Sequence, residues 1–341
     1  APPPPTTESA FLRRRARNLA VACRAPPSPC PEVSVYFRNL NLFRFPKSSA
    51  EDLEGLAKRL KKHALRPCGP LEAQTRGWVS PFGRGEEGLL HEIGAFRLLT
   101  LGGEDKLLPP AVVHEAAADR IEALEAQRGR RVGGRERKRI KDEALHELLP
   151  RAFVKPSRLA GYLDLKRGWV VVDTASRKAA EGFLSVLRDT LGSFPAVPPD
   201  PAESPRGLMT GWLTGAKLPP DFGLADECEL RDPADGGAIV RCRRQDLTAD
   251  EVREHLKTGK QVTQLGLTVE DRVAFVLGED LVVRKFRLLD VATQELEDTE
   301  RDSPRAEVDA RFALMSLTLE PVLERLAEVF RFDRPGERRK R

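Results

Sequence analysis

The strongest restriction on the fold of this 341-residue chain comes from residues 128–153, where a cluster of cations leads into a helix that must stop. Eight cations within residues 128–141 are opposed only by Glu136; they are Arg128, Arg130, Arg131, Arg135, Arg137, Lys138, Arg139 and Lys141. Apolar residues then recur at helical spacing until Pro150 ends the helix. Such a helix either presents a solvated charged face or contacts a polyanion.

A second helix is predicted just before this one. Val113, Ala117, Ile121 and Leu124 lie on one stripe of residues 111–127, and Gly129 and Gly133-Gly134 then interrupt the pattern. The following helix, from Arg135 to Leu149, is expected to turn inward its residues Ile140, Ala144, Leu145 and Leu148. The two helices form a hairpin with arms roughly 25 Å long at the rise of an α-helix. Its turn carries most of the positive charge.

The overall net charge of +5 hides how the charge is distributed. Residues 1–32 contain five arginines and two glutamates, and residues 331–341 contain six cations and two carboxylates. Residues 33–330 therefore carry a net charge of −2. If this part of the chain binds a polyanion, it does so by placing cations locally and not by general attraction.

The remaining periodicity predicts an α+β fold with antiparallel sheet segments. Strands are expected near residues 34–45, 92–101, 159–165, 169–173, 223–231, 237–245, 261–267, 271–277 and 281–289. A first helix is expected after a cap at Ser49–Asp52, with Leu53, Leu56, Leu60 and Leu65 on one face. Four further helices are expected from Thr174 to Leu191, over 206–216, over 248–258 with Thr248 as its cap, and over 304–330. Five prolines in residues 195–205 mark the clearest internal boundary.

The two ends of the chain differ from its middle. Residues 1–32 are rich in proline and arginine, and we expect them to be a disordered leader or an over-extended gene product, with translation starting near Val33. Residues 331–341 form a basic tail. No apolar run is long enough for a membrane span, and the five scattered cysteines indicate a reduced, cytoplasmic compartment without structural zinc.

Enzyme motifs are poorly supported. Residues 83–88 match G-x-G-x-x-G, but no apolar strand leads into them and two carboxylates would face a phosphate, so a surface loop is the better interpretation. The pairs His91-Glu92, His114-Glu115 and His146-Glu147 lack the second histidine that a zinc protease needs four residues later. We expect no enzymatic activity, no cofactor and no metal, although a carboxylate pair is not excluded by the sequence.

Two other sites carry charge or an aromatic ring at element ends. Arg241 and Arg243 are expected on one face of a strand, with Arg244 and Gln245 at its end, where they either contact phosphates or protect an exposed edge. Phe153 follows Pro150 and Arg151 and is either a core or dimer-interface residue or part of a contact surface.

Several segments in collinear order resemble the bacterial RdgC family of recombination-associated proteins. They are Tyr36–Leu40, Arg66–Gly69, Gly77–Val79, Lys141–Glu143, Leu148–Phe153, Leu191–Ser193, Asp235–Gly237 and Gln245–Thr248. The resemblance covers about Val33 to Phe330. Leu-Leu-Pro-Arg-Ala-Phe and Gln-Asp-Leu-Thr are its most specific parts, whereas the leader, the basic tail and Gly133-Gly134 depart from the family pattern.

The resemblance implies a crescent-shaped subunit with a projecting helical hairpin, two of which close a ring around DNA. It implies a central domain (33–106 and 151–197), a tip hairpin (107–150) and a base domain (198–330). By position, the DNA-binding residues would be Arg130, Arg151, Phe153, Arg244 and Gln245. Further phosphate contacts are expected at Arg128, Arg131, Arg135, Lys138, Arg241 and Arg243.

The expected function is therefore sequence-nonspecific binding of DNA, mainly double-stranded and also single-stranded, by a homodimer that restrains the RecA recombinase. Such a protein is expected in the cytoplasm, associated with the nucleoid and not with a membrane. The alternative is a non-enzymatic scaffold whose basic hairpin docks an acidic protein partner, because charge alone does not separate the two functions.

Overall fold

Eleven β-strands form the framework of the part of the chain that the structure describes. The computed structural model describes residues 36–234, 237–289, 303–333 and 335–336, all within one compact unit, Val35–Arg341. The strands are β1 (Leu40–Arg44), β2 (Gln74–Val79), β3 (Leu90–Ile93), β4 (Phe96–Leu107), β5 (Phe153–Asp164), β6 (Trp169–Asp173), β7 (Phe222–Arg231), β8 (Ile239–Arg243), β9 (Gln261–Val269), β10 (Val273–Gly278) and β11 (Val283–Leu288).

All eleven strands belong to one sheet, and each observed pairing is antiparallel. The strand order is β2-β4-β5-β6-β1-β11-β10-β9-β7-β8, with β3 paired to β4. β8 is thus an edge strand, as the charged-edge interpretation expected. The α+β class with antiparallel strands is confirmed.

Seven α-helices accompany the sheet within the described ranges. They are α1 (Leu56–Lys62), α2 (Pro110–Arg128), α3 (Gly134–Leu148), α4 (Arg177–Leu191), α5 (Pro205–Leu213), α6 (Asp250–Lys257) and α7 (Pro304–Val329). Short 3-10 helices cover Lys47–Leu53 and Leu149–Arg151. None of the seven helices is long and apolar enough to cross a lipid bilayer.

Helices cover both faces of the central strands. Tyr162 and Leu163 are successive residues of β5, so their side chains point to opposite faces of the sheet. Leu163 lies in the same apolar cluster as Phe183 of α4, whereas the ring of Tyr162 lies 5.7 Å from that of Phe312 in α7. α4 and α7 therefore lie on opposite faces of the sheet, which explains why β1 is buried along its whole length.

The helical hairpin predicted from the charge cluster is present. α2 and α3 pack against each other through Val113, Ala117, Val132, Ile140 and Ala144, which form an apolar cluster of their own. The hairpin continues the β4–β5 ladder, in which Leu107 is paired with Phe153. Residues 153–158 of β5 are all exposed, so this end of the ladder extends beyond the packed part of the sheet.

Leu145 corrects one expectation about the hairpin. It was expected to face inward with Ile140, but its relative exposure is 38%. Ile140 and Ala144 are four positions apart and already fill the face of α3 that touches α2. Leu145 lies about 100° round the helix from Ala144 and therefore faces away from that contact.

Several predicted boundaries also differ from the structure. Residues 92–101 form most of a hairpin, β3 and β4, because Gly94 adopts a left-handed conformation with φ 53° and reverses the chain. Strand β1 starts at Leu40 and not at Ser34, and β2 was not predicted. The Ser49–Asp52 segment is part of a 3-10 helix, and α1 begins after Gly55, so Leu65 lies beyond its end.

The predicted helix caps at Thr174 and Thr248 are wrong by one or two residues. The cap of α4 is Ser176, whose Oγ accepts a hydrogen bond from the Ala179 N–H at 3.3 Å. Thr174 follows directly after β6, which extends to Asp173, and its hydroxyl accepts a hydrogen bond from the Ser176 N–H. At α6 the cap position is Ala249, and Thr248 donates its hydroxyl to Asp246. The predictions for residues 1–32 and for most of the basic tail fall outside the described residues.

Candidate functional site

Cations of the hairpin divide into those with a carboxylate partner and those without one. Arg128 is bonded to Glu136 at 2.8 Å, and Arg137 is bonded to Glu125 at 3.0 Å, so both pairs bridge α2 and α3. A hydrogen bond from Arg128 is the main cause that holds the pKa of Glu136 below its usual value. A hydrogen bond from the Val132 N–H has the same effect on the pKa of Glu125. These arginines contribute to the hairpin itself.

The unpaired cations lie at the turn and at the start of α3. Among the cations of the described hairpin, residues 107–150, four exposed side chains have neither an ion pair nor a hydrogen bond, and we call them the tip cluster: Arg130, Arg131, Arg135 and Lys138. The N-terminus of a helix carries partial positive charge, so cations there cost about 0.3–1 kcal/mol each. Helix stability therefore does not explain Arg135. A bound anion would interact favourably with both the cations and the helix terminus.

The base of the hairpin exposes an arginine and an aromatic ring. Arg151 ends the 3-10 helix Leu149–Arg151 and makes no ion pair among the described residues. Phe153 has a relative exposure of 83%, so the interpretation of Phe153 as a core residue is wrong for the single subunit. Its cross-strand neighbour Leu107 is 51% exposed, so Phe153 and Leu107 form an exposed apolar pair on one face of the ladder.

A cleft at the other end of the sheet contains Arg244 and Gln245. Arg244 follows β8 and has φ 54°, and the Gln245 N–H donates to the Asp226 carbonyl at 3.2 Å. Asp246 then accepts hydrogen bonds from the Thr248 hydroxyl and N–H, which lower the pKa of Asp246 and begin the turn into α6. These contacts hold the Arg244–Gln245 segment against β7. Two adjoining cavities of about 420 and 650 Å³ lie beside it.

Two cations of β11 line the same cleft, and we did not single them out from the sequence. Arg287 borders both cavities, and Lys285 borders one of them and is bonded to Glu227. We call Arg243, Arg244, Gln245, Lys285 and Arg287 the cleft residues. The sequence contained a signal for these two cations, because residues 281–289 were predicted as a strand and contain Arg284, Lys285 and Arg287.

Arg241 has a different environment from Arg243. Its Nε donates to Glu229 Oε2 at 2.7 Å, and Glu229 is buried and also accepts from Thr263. Burial alone would raise the pKa of Glu229, but the hydrogen bonds from Arg241 and Thr263 outweigh it and the pKa lies below the usual value. Arg243 is exposed, and no described residue forms an ion pair with it. Arg241 is thus engaged in holding β8 to β7.

The three sites lie far apart. The tip cluster and the hairpin base lie in the segment that connects β4 to β5. Arg244, in contrast, lies at the end of the edge strand β8, seven strand positions from β5. At about 4.8 Å per strand this separation is roughly 33 Å along a flat sheet. The described residues contain no group of three or more His, Cys, Asp or Glu side chains that could hold a metal ion.

Comparison with known proteins agrees with the motif resemblance. The family described as "Putative exonuclease, RdgC" matches residues 35–332. A protein called "Recombination-associated protein RdgC" from Stenotrophomonas maltophilia (strain R551-3) is 49% identical over 301 residues, which are 88% of this chain and 99% of that protein.

The chain belongs to the RdgC family.

Two further relatives have the same name. Those of Xanthomonas campestris pv. campestris (strain B100) and Xanthomonas oryzae pv. oryzae (strain MAFF 311018) are each 50% identical over 283 residues, 83% of this chain and 93% of theirs. The family description contains the word exonuclease, whereas these relatives are named for recombination. The family predicted from the motifs is thus confirmed, and its names place the chain among recombination-associated proteins.

Proposed function

We propose that this protein binds DNA without sequence preference, encircles mainly double-stranded DNA as a ring-shaped homodimer, and restrains RecA-mediated recombination. The observation that carries the proposal is the set of exposed cations without carboxylate partners at the tip cluster, at Arg151 and in the cleft. Guanidinium groups fit phosphate oxygens with two hydrogen bonds and ignore the identity of the base. The recombination name of the relatives supports the same function.

A ring reconciles DNA binding with the charge of the protein. Residues 33–330 have a net charge of −2, so general attraction to DNA is weak. If two subunits enclose the duplex, only the inner surface needs cations, and enclosure slows dissociation without strong contacts. In this proposal, residues 107–150 form the tip, 33–106 and 151–197 the centre, and 198–330 the base. Arg130 and Arg244 contact phosphates, and Arg151 and Phe153 act in closure and grip.

Restraint of RecA then follows from occupancy of the DNA. Bound rings obstruct growth of the recombinase filament or deny it access to the homologous duplex. A variant that binds DNA normally and still fails to inhibit strand exchange would indicate direct contact with RecA instead. Such a protein acts in the cytoplasm, on the nucleoid.

The test is a gel-shift with two linear duplexes of unrelated sequence at two salt concentrations, combined with a mass measurement of the oligomer. We expect both duplexes to bind equally, binding to fall steeply with salt, and a dimer mass. No shift of either duplex, together with capture by an acidic protein, would support the scaffold alternative. The exonuclease activity that the family description names is tested by prolonged incubation of the duplexes with Mg²⁺. We expect the DNA to remain intact.

A further inference from the structure

The cleft beside Arg244 crosses one face of the sheet over three strands. Three residues of its floor are small, Ala225 of β7, Gly266 of β9 and Ala274 of β10, and the larger Phe275 and Val276 line the cavity beside them. At Gly266 a Cβ atom would lie 2.9 Å from the Glu227 carbonyl oxygen and 3.1 Å from Ala225 Cβ, so the backbones approach closely here. Larger side chains on this floor would fill the 420 Å³ cavity. The small floor leaves room for a ligand that crosses the strands.

Backbone irregularities direct the cations into the cleft. Residues 225–227 of β7 lie between the pairs Leu224–Leu267 and Cys228–Leu265, so three residues oppose one, and the β10–β11 register also shifts. Arg244 and Lys285 have φ 54° and 51°, which costs a residue with a side chain roughly 1–2 kcal/mol. Bulges of this kind change the direction of side chains next to functional sites. Here they bring cations from β8 and β11 to one cleft.

Charge in the cleft is partly cancelled by the protein itself. Glu227 is bonded to Lys285, and Asp226 and Asp246 line the cavities as well. The side chain of Arg287 is exposed and forms no ion pair or hydrogen bond with any residue in the described ranges. Arg287 is therefore ready to accept an anion, whereas Lys285 first has to exchange Glu227 for it.

We propose that Arg287 is a phosphate-binding residue and that the cleft takes the sugar–phosphate backbone of one strand of a DNA duplex. Arg244 and Gln245 bind it from the β8 side, and Arg287 binds it from β11. When a phosphate enters, Lys285 exchanges its bond to Glu227 for one to the phosphate, and Glu227 thus lowers the affinity. This inference rests on the proposed DNA binding and adds to it the residues of β11 and a competing carboxylate.

The experiment measures duplex affinity and its salt slope for wild type, Arg287→Ala, Glu227→Gln and the control Lys61→Ala. Lys61 is exposed on α1, which contacts β3 at the other end of the sheet from the cleft, and its removal changes the charge equally. Arg287→Ala should weaken binding about tenfold at low salt and reduce the slope by about 0.9. Glu227→Gln should strengthen binding on the order of threefold, because Lys285 is released. An improperly folded protein does not produce that gain.

The outcomes separate this inference from the proposed function. If wild type binds no duplex at low salt, the proposed function fails and the inference with it. If wild type binds and Arg287→Ala matches Lys61→Ala in affinity and slope, the assignment of Arg287 is wrong while DNA binding stands. If Glu227→Gln binds no better than wild type, the exchange at Lys285 is wrong. Thermal unfolding of Arg287→Ala is measured alongside, and since the side chain is exposed we expect an unchanged midpoint.

Discussion

Arginine side chains of this protein have two kinds of environment, with and without a carboxylate partner. Arg128 and Arg241 are hydrogen-bonded to Glu136 and Glu229, and they join neighbouring elements. Arg130 and Arg244 are exposed without such a partner in the described part of the chain. A guanidinium that is already held by a carboxylate has to lose that bond before it binds a phosphate. We therefore expect the unpaired arginines to contribute more to DNA affinity than the paired ones.

Substitution of single unpaired arginines tests this expectation. Arg130→Ala and Arg244→Ala should each weaken binding about equally for unrelated duplexes and reduce the salt slope by about one unit, since each removes one phosphate contact. Arg128→Ala is the matched control and should change the slope less, because Arg128 is paired with Glu136. The measurement is affinity by gel-shift or anisotropy over a salt series. An unchanged slope for Arg130→Ala and Arg244→Ala would assign both residues to other roles.

Phe153 provides a second prediction for a single residue. With 83% of its surface exposed, Phe153→Ala should change the free energy of unfolding by no more than about 0.5 kcal/mol. If Phe153 acts in closure or grip, the variant should escape faster from circular DNA. Release from linear duplexes serves as the comparison, since a ring leaves linear DNA by sliding off its ends. Equal retention of wild type and variant on circles would contradict the role of Phe153 in the ring.

At the scale of elements, the hairpin is independent of the sheet in its packing. Its apolar cluster is formed by α2, α3 and the intervening Val132, while the sheet cluster contains residues such as Trp78, Val170 and Phe183. The hairpin is joined to the sheet through the β4–β5 ladder and through the 3-10 helix Leu149–Arg151, which precedes β5. A small separate cluster is expected to open at a lower free energy than the sheet, as the proposed closing and opening of a ring by the hairpin requires.

The start of α4 gives a matched pair of substitutions. Ser176→Ala should lower the free energy of unfolding by about 0.5–2 kcal/mol, because it removes the acceptor of the Ala179 N–H at the helix terminus. Thr174→Ala removes only a hydrogen bond to the Ser176 N–H and should cost less. Denaturant unfolding of both variants compares them directly. A larger effect of Thr174→Ala would restore the cap that the sequence pattern predicted.

For the whole molecule, a buried histidine joins the sheet to the last helix. His91 of β3 lies 3.1 Å from Asp309 of α7, and its ring packs 5.6 Å from that of Phe312. Burial is the main cause that lowers the pKa of His91 below 6.5, and Arg305 lowers it further, whereas Asp309 and Glu92 act in the opposite direction. The folded protein therefore holds its proton on this residue less tightly than the unfolded chain does.

This lowered pKa predicts how stability depends on pH. The contribution of His91 is fully present above the unfolded pKa of about 6.5 and is lost as pH falls below it, because the unfolded chain then binds more protons. His91→Gln should flatten the decrease in the free energy of unfolding between pH 7 and 5. His146→Gln, at an exposed position of α3, is the matched control. A decrease that is identical in wild type and His91→Gln would exclude His91 as its cause.

Local sequence determined much of the fold and the identity of the candidate residues. The hairpin α2–α3, the β5–β6 pair, the strands β9 to β11 and the helix α7 were all predicted, because helical and strand periodicities depend on neighbours along the chain. The family followed from short motifs such as Leu148–Phe153. Boundaries set by a cap or a turn were less accurate, as at Ser176 and Gly94, since several nearby residues were able to play the same part.

Tertiary structure alone decided which residues stand together and which are exposed. The folded sheet places Lys285 and Arg287 of β11 in the same cleft as Arg244, although β11 and β8 are four strand positions apart and about forty residues separate them in the chain. Exposure of Phe153, burial of Glu229 beneath Arg241, and the left-handed backbone at Arg244 depend on partners from other elements. The sequence thus determined the local elements and the supply of cations along residues 128–141. Packing between distant segments determined which cations have a carboxylate partner and which remain unpaired.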